Sequence, residues 1–198
     1  MMNKIVLDKE NIINLNVIKD SVLNITKDYN VKELNIVVNK NVKIIINHYS
    51  EINKNEFNLN VEQKDNSEFV YNHSFVCKDN YKLSVDIKMD YDNSKNIINI
   101  HGISDAGNTF VKLDGRVLAN TKNNELYENV KLLNINDGFS NVYPNMFIDT
   151  KNVVANHAAS ISTIDDNYLF YLMSKGIEKD DAIKLIMDGF LDNDAKLE

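Results

Sequence analysis

The sequence predicts a mostly β protein that ends in a two-helix hairpin. Three observations predict it. Short β-branched runs with period-two alternation recur along most of the chain. Asn, Asp or Gly stands between them, where turns are needed. After Ile164 the spacing of apolar residues becomes helical. Numerous short strands fit a sandwich, a barrel or a β-solenoid, and the pattern alone leaves all three open. The chain holds 33 Asn and a single Arg, Arg116. Asn tolerates left-handed turns and can form ladders at solenoid corners. Most of the excess is nevertheless expected from AT-rich codons, and no sharp repeat period is visible.

In order along the chain, residues 31–38 and 42–46 are β-branched runs separated by Asn-Lys-Asn. Phe57, Leu59 and Val61 alternate with Asn58, Asn60 and Glu62, and Leu83, Val85, Ile87 and Met89 with Ser84, Asp86 and Lys88. Both patterns read as half-buried strand. Further strand segments are 97–103, 109–113, 130–135, 146–148 and 153–155. The Asp114-Gly115 pair is an ordinary turn signal. Asp165 is the expected N-cap of a first helix, with Asp166 in its first turn and Gly176 as the residue after its C-cap. Leu169, Leu172 and Met173 supply its apolar face. A second helix is expected from about 179 to 188, with Ala182, Ile183, Ile186 and Phe190 as one stripe and Gly189 as its end. Helices this short need something to pack on. The expected division is a β unit over 1–164 and a helical hairpin over 165–198.

At 198 residues and 43% hydrophobic content the chain is one domain, or one with a small appendage, and has enough apolar residues for a core. A net charge of −7 and a pI near 5.1 argue against nucleic-acid binding, which needs a basic face. The lone cysteine, Cys77, sits in an alternating apolar stretch and reads as a buried structural thiol. No signal-peptide apolar region follows the start and no run approaches the roughly 18 apolar residues of a membrane span, so a soluble cytoplasmic protein is expected. The terminal Leu197-Glu198 reads as a vector remnant. Nucleophile, zinc and phosphate-loop motifs are absent, and no acidic or basic catalytic cluster stands out, so no enzyme is expected. His48, His73 and His101 have no local partner pattern and read as structural or surface residues.

The run Asn156-His157-Ala158-Ala159-Ser160-Ile161-Ser162-Thr163-Ile164-Asp165-Asp166 leads into Leu169-Phe170-Tyr171-Leu172-Met173-Ser174-Lys175-Gly176-Ile177. Asp181-Ala182-Ile183-Lys184-Leu185-Ile186 and Gly189-Phe190 follow. Together they resemble the C-terminal signature of the SufB/SufD family, the paired scaffolds of SUF iron–sulfur cluster assembly. Asn99-Ile100-His101-Gly102-Ile103 and Lys112-Leu113-Asp114-Gly115-Arg116 extend the resemblance over roughly residues 96–192, whereas 1–95 match loosely and the family's N-terminal helical region is missing.

The resemblance implies a right-handed parallel β-helix over roughly 30–160, capped by two antiparallel helices. It implies that His157, where the family's β-helices meet, is a candidate iron or cluster-assembly ligand, since neutral imidazole is a competent iron ligand. Ala158 replaces the Glu of SufB-type proteins, and Asn129-Val130-Lys131-Leu132-Leu133 lacks their cysteine, so the chain is SufD-like. It should hold no cluster stably by itself, at most iron or a transient cluster at a shared interface. The implied partners are a SufC-like ATPase, docked through Tyr168, Phe170, Tyr171 and Lys175, and a SufB/SufD-like protein or a second copy in a homodimer. The alternative is a stand-alone β-solenoid interaction protein that has lost the cluster role.

Overall fold

The computed structural model describes residues 2–5, 11–26 and 31–191. Residues 192–198, which include the Leu197-Glu198 pair, lie outside the described residues. The strands are β1 (Asn3–Ile5), β2 (Ile12–Val17), β3 (Ser21–Ile25), β4 (Glu33–Val38), β5 (Lys43–Gln63), β6 (Glu68–Met89), β7 (Lys95–Asp105), β8 (Asn108–Val117), β9 (Asn124–Ile135), β10 (Phe139–Ile148) and β11 (Val153–Thr163). Two helices follow, α1 (Asp166–Ser174) and α2 (Lys179–Leu191).

Every pairing is parallel, and the chain alternates between two faces. On the first face β1, β3, the start of β5, the start of β6, β7, β9 and β11 lie side by side. On the second, β2, β4, the end of β5, the end of β6, β8 and β10 do so. The long strands β5 and β6 pass from one face to the other at a register shift between Ile52 and Lys54. The fold is therefore a parallel β-solenoid of about five turns.

Period-two alternation sets which side chains fill its interior. Phe57, Leu59, Val61, Leu83, Val85, Ile87 and Met89 are buried, and join Ile44, Ile46, Phe69, Tyr71, Phe75, Ile98, Val111, Leu113, Leu126 and Val130 in one core. Each fully buried Ile, Leu or Phe contributes roughly 1.5–3 kcal/mol of transfer free energy.

Asn ladders run along the outer faces. Asn47 donates to Asn24 at 3.2 Å, Asn72 to Asn47 at 3.0 Å and Asn99 to Asn72 at 3.0 Å, while Asn60 donates to Asn35 at 2.7 Å and Asn35 to Asn14 at 3.0 Å. At successive corners Asn41, Asn66, Asn93 and Asn123 take left-handed backbone with φ of 59°, 54°, 56° and 56°. Asn is the residue that adopts this conformation at low cost while its amide bonds to the next coil. Part of the Asn content thus has a structural use in ladders and corners. The ladder partners are separated by 23, 25 and then 27 residues, and the Asn93–Asn123 pair by 30. Coil length changes from turn to turn, rising to 30 residues between β7 and β9 and falling to 29 between β9 and β11, so no fixed period exists to be found.

Several expectations are corrected. The solenoid starts at Asn3 rather than near residue 30, because its first coils are short and their strands of three to six residues carry little pattern. The segments at 146–148 and 153–155 are parts of much longer strands, β10 and β11. Asp114-Gly115 is no turn but lies inside β8. A Cβ at Gly115 would meet Leu126 Cδ2 at 2.6 Å and Glu128 Oε1 at 2.7 Å, so the glycine answers to packing rather than to a bend.

The helix caps follow local chemistry. Asp165 accepts a hydrogen bond from the Asn167 amide at 2.8 Å. Gly176, at φ 85°, donates to the Met173 carbonyl, and Ile177 to the Leu172 carbonyl, which is the Schellman arrangement. Gly189 does not end α2, which runs on to Leu191. Leu191 there buries itself against Val76, Ile103, Leu133 and Ile135, with Met187 and Phe190 beside it, and that packing outweighs the roughly 1 kcal/mol cost of a helical glycine. These residues face outward from β6, β7 and β9. The hairpin therefore lies on the outer face of the first sheet and does not cap the end of the solenoid.

Candidate functional site

Among the described residues the C-terminal end of the solenoid is open. Strands β10 and β11 are the last on their faces, and each has one paired neighbour among the described strands. Their far edges present backbone N–H and C=O groups in a row, which is a template for another chain. The side chains there are apolar and poorly covered. Tyr143, Phe147, Val154 and Ile161 are each about half exposed, and Val142, Met146, Ile148, Val153 and Ala155 are only partly buried against the core. This surface has the character of a core cut across.

His157 lies on β11 within this end and is exposed. Val153 and Ala155 pack inward, so alternation turns His157 to the same inner side. Its register partner on β9 is Glu128. Glu128 points into the interior between Leu126 and Val130 and is 2% exposed. Neither of its carboxylate oxygens has a hydrogen-bond partner. Burial, with a smaller contribution from the Asp114 charge, pushes its carboxyl up to about 7, so a large fraction is protonated near neutral pH.

Asp114 behaves oppositely. Burial alone would raise it, but hydrogen bonds from Lys112 at 2.6 Å and Asn145 at 2.9 Å, with the charges of Lys112 and Arg116, hold it below the usual range. Lys112 and Arg116 thereby pair with Asp114, Arg116 also with Asp86, and among the described residues no ion pair is formed by Glu128.

Glu128 was missed by sequence reasoning. The signal was present: in Leu126-x-Glu128-x-Val130-x-Leu132 a carboxylate occupies an inward position of a period-two strand, where an unpaired charge is costly.

The four expected partner-binding residues sit on α1 and its C-cap. Tyr168, Phe170 and Tyr171 are 65%, 64% and 59% exposed, and Lys175 Nζ lies 5.3 Å from the Tyr171 ring centroid. Leu169 is the buried residue of α1, whereas Met173, expected on the same apolar face, is exposed, because α1 meets the rest of the protein along a narrow line.

The other three histidines are buried. The His48 and His73 rings stack at 4.1 Å in the interior. His48 Nδ1 lies 2.9 Å from the Tyr71 hydroxyl, and His73 Nε2 2.9 Å from that of Tyr81. Burial lowers both imidazoles, His73 to about 4, and His48 is lowered further by His73. His101 is buried beside Phe190. Burial raises the Cys77 thiol and makes it a poor nucleophile. No group of three or more His, Cys, Asp or Glu among the described residues could hold a metal ion. No helix among them is long and apolar enough to cross a membrane.

Compared with known proteins, the chain matches over residues 9–190 the family model described as SUF system FeS cluster assembly, SufBD core domain. It is 48% identical over 48 residues to the iron–sulfur cluster assembly protein SufD of Bacillus subtilis (strain 168), a stretch covering 24% of this chain and 11% of that protein. An iron–sulfur cluster assembly SufBD family protein of Galdieria sulphuraria is 35% identical over 101 residues, 50% of this chain and 45% of that one. One from Mycobacterium tuberculosis (strain ATCC 25618 / H37Rv) is 39% identical over 57 residues, 29% and 7% respectively. The chain thus spans less than half the length of each of these relatives.

Proposed function

The chain belongs to the SufBD family of SUF-system iron–sulfur cluster assembly proteins, and from that premise we propose that it is a cytoplasmic, non-catalytic scaffold of that assembly. It pairs through the open end of its solenoid with a SufB/SufD-like protein or a second copy. Its α1 docks a SufC-like ATPase through Tyr168, Phe170, Tyr171 and Lys175. Iron, or a transient cluster, is its cargo, met at the shared interface near His157.

The observation that carries the reading is the uncovered end: two free strand edges and an apolar surface, with the hairpin lying elsewhere. A closed two-fold pairing of these edges removes them from water and stops further strand addition. Three aromatic side chains on one short helix are a second apolar surface suited to a different partner.

Two experiments test this. The variant carrying Tyr168→Ala, Phe170→Ala and Tyr171→Ala alters only exposed side chains and should lose a SufC-like ATPase in a pull-down; retained binding overturns the docking. Sedimentation equilibrium at roughly tens of micromolar should show a dimer; a monomer of 22.7 kDa overturns self-pairing.

The second reading is a stand-alone solenoid interaction protein that has left cluster assembly. It is favoured by the burial of Cys77, which leaves no thiol of this chain at the open end to accept sulfur. Dimerisation without ATPase docking would select it.

A further inference from the structure

We propose that a groove on the outer face of the second sheet binds an extended, uncharged peptide in the polyproline II form, the backbone conformation of proline-rich segments. The site is distinct from α1 and from the free strand edges, and it does not depend on the reading above.

The dimensions of the groove select the form of its occupant. It has a volume of about 1040 Å³ and crosses six successive strands of that face, β2, β4, β5, β6, β8 and β10, from Ile12 to Phe139. Six strands at about 4.8 Å spacing cover about 24 Å, so the mean cross-section is roughly 40 Å². An α-helix about 10 Å across needs roughly twice that, whereas a single extended chain fits. The occupant cannot add as a strand, because β4, β5, β6 and β8 are paired on both sides here. Side chains must therefore recognise it.

Those side chains suit a backbone without hydrogen bonds of its own. Asn58, Asn80, Asn108 and Asn141 put one amide on each of β5, β6, β8 and β10. Asn58 donates to Glu56 at 3.4 Å and Asn108 to Asn80 at 3.3 Å, and each of these long bonds leaves its NH₂ a second donor. In polyproline II the carbonyls are unpaired, and three residues rise about 9.3 Å, close to the roughly 9.6 Å of two coils. Every third carbonyl thus meets an amide at every second coil. Phe110 and Phe139 line the end of the groove towards β10. Phe139 is 55% exposed, and the Tyr143 ring braces Phe110 at 5.0 Å. Proline-rich chains dock on such aromatic walls. The charges along the groove cancel: Lys82 lies 3.9 Å from Glu56, and Lys32 is next to Glu33. The complementary ligand is therefore uncharged.

The test titrates the full chain into fluorescein-labelled octaproline, about 25 Å long in this form, and follows the anisotropy. Binding should saturate with a Kd below about 1 mM. Phe139→Ala should weaken it by about tenfold or more, and Asn108→Ala by about threefold or more. Both side chains are exposed, so neither change threatens the fold. Phe147→Ala, on the same strand as Phe139 but outside the groove, should bind as the unaltered chain does. No saturable binding, or equal binding by the Phe139→Ala chain, overturns the site. Equal binding of a flexible Gly-Ser peptide of the same length overturns the polyproline II form. Cellohexaose bound where octaproline is not would assign the groove to a neutral glycan and overturn the peptide. The pull-down and sedimentation read ATPase docking and dimerisation separately.

Discussion

Acid should unfold this protein through its interior imidazoles, and His73 makes the effect calculable. His73 is buried between the His48 ring and the Tyr81 hydroxyl, and burial lowers it from 6.5 to about 4. The unfolded chain therefore binds a proton below pH 6.5 that the folded chain refuses until about pH 4. Stability from this group is complete above pH 6.5 and is lost as pH falls. The loss works out at about 2 kcal/mol at pH 5 and about 3 kcal/mol below pH 4, a large part of a domain's margin. His48, lowered by burial and by His73, adds to it in the same direction. The perturbation is His73→Phe, which also leaves the Tyr81 hydroxyl without this partner, at a pH-independent cost of about 1–3 kcal/mol. Urea unfolding followed by circular dichroism suits a chain without tryptophan. Between pH 7.5 and 5 the unaltered protein should lose about 2 kcal/mol more than the variant. Equal losses in the two proteins would refute the reasoning.

Glu128 has the opposite sign: its carboxyl is raised from 4.5 to about 7, so stability falls as pH rises across that window. Glu128→Gln should match the unaltered chain near pH 4.5 and exceed it by about 3 kcal/mol at pH 8 in the same urea assay; parallel pH profiles would count against a buried, unpaired carboxylate. Asn72→Ala removes one donated and one accepted ladder bond, each at 3.0 Å. It should lower stability by about 1–2 kcal/mol, whereas no change would show the ladder to be ornamental in energy. Asp165→Ala removes the hydrogen bond to the Asn167 amide and should cost α1 about 1 kcal/mol, seen as faster amide exchange at residues 167–169 with the solenoid amides unaffected.

The sequence by itself determined whatever depends on neighbours a few residues apart. Alternation in 57–61 and 83–89 placed those strands and their buried sides. Asp165 and Gly176 fixed the limits of α1 because caps are local hydrogen bonds. The C-terminal signature pointed to the family, and through it to the solenoid among three architectures that alternation alone could not separate. The tertiary structure decided whatever depends on residues one coil apart. Coil length varies from turn to turn, so the partner of a residue lies 23 positions away at one level and 30 at another, and no fixed spacing in the sequence encodes it. That changing interval set Asn over Asn in ladders and His73 beside His48. It let Gly189 stay helical, because Leu191 found a pocket formed by three distant strands. It also set His157 in register with Glu128, a buried carboxylate that sequence reasoning had passed by.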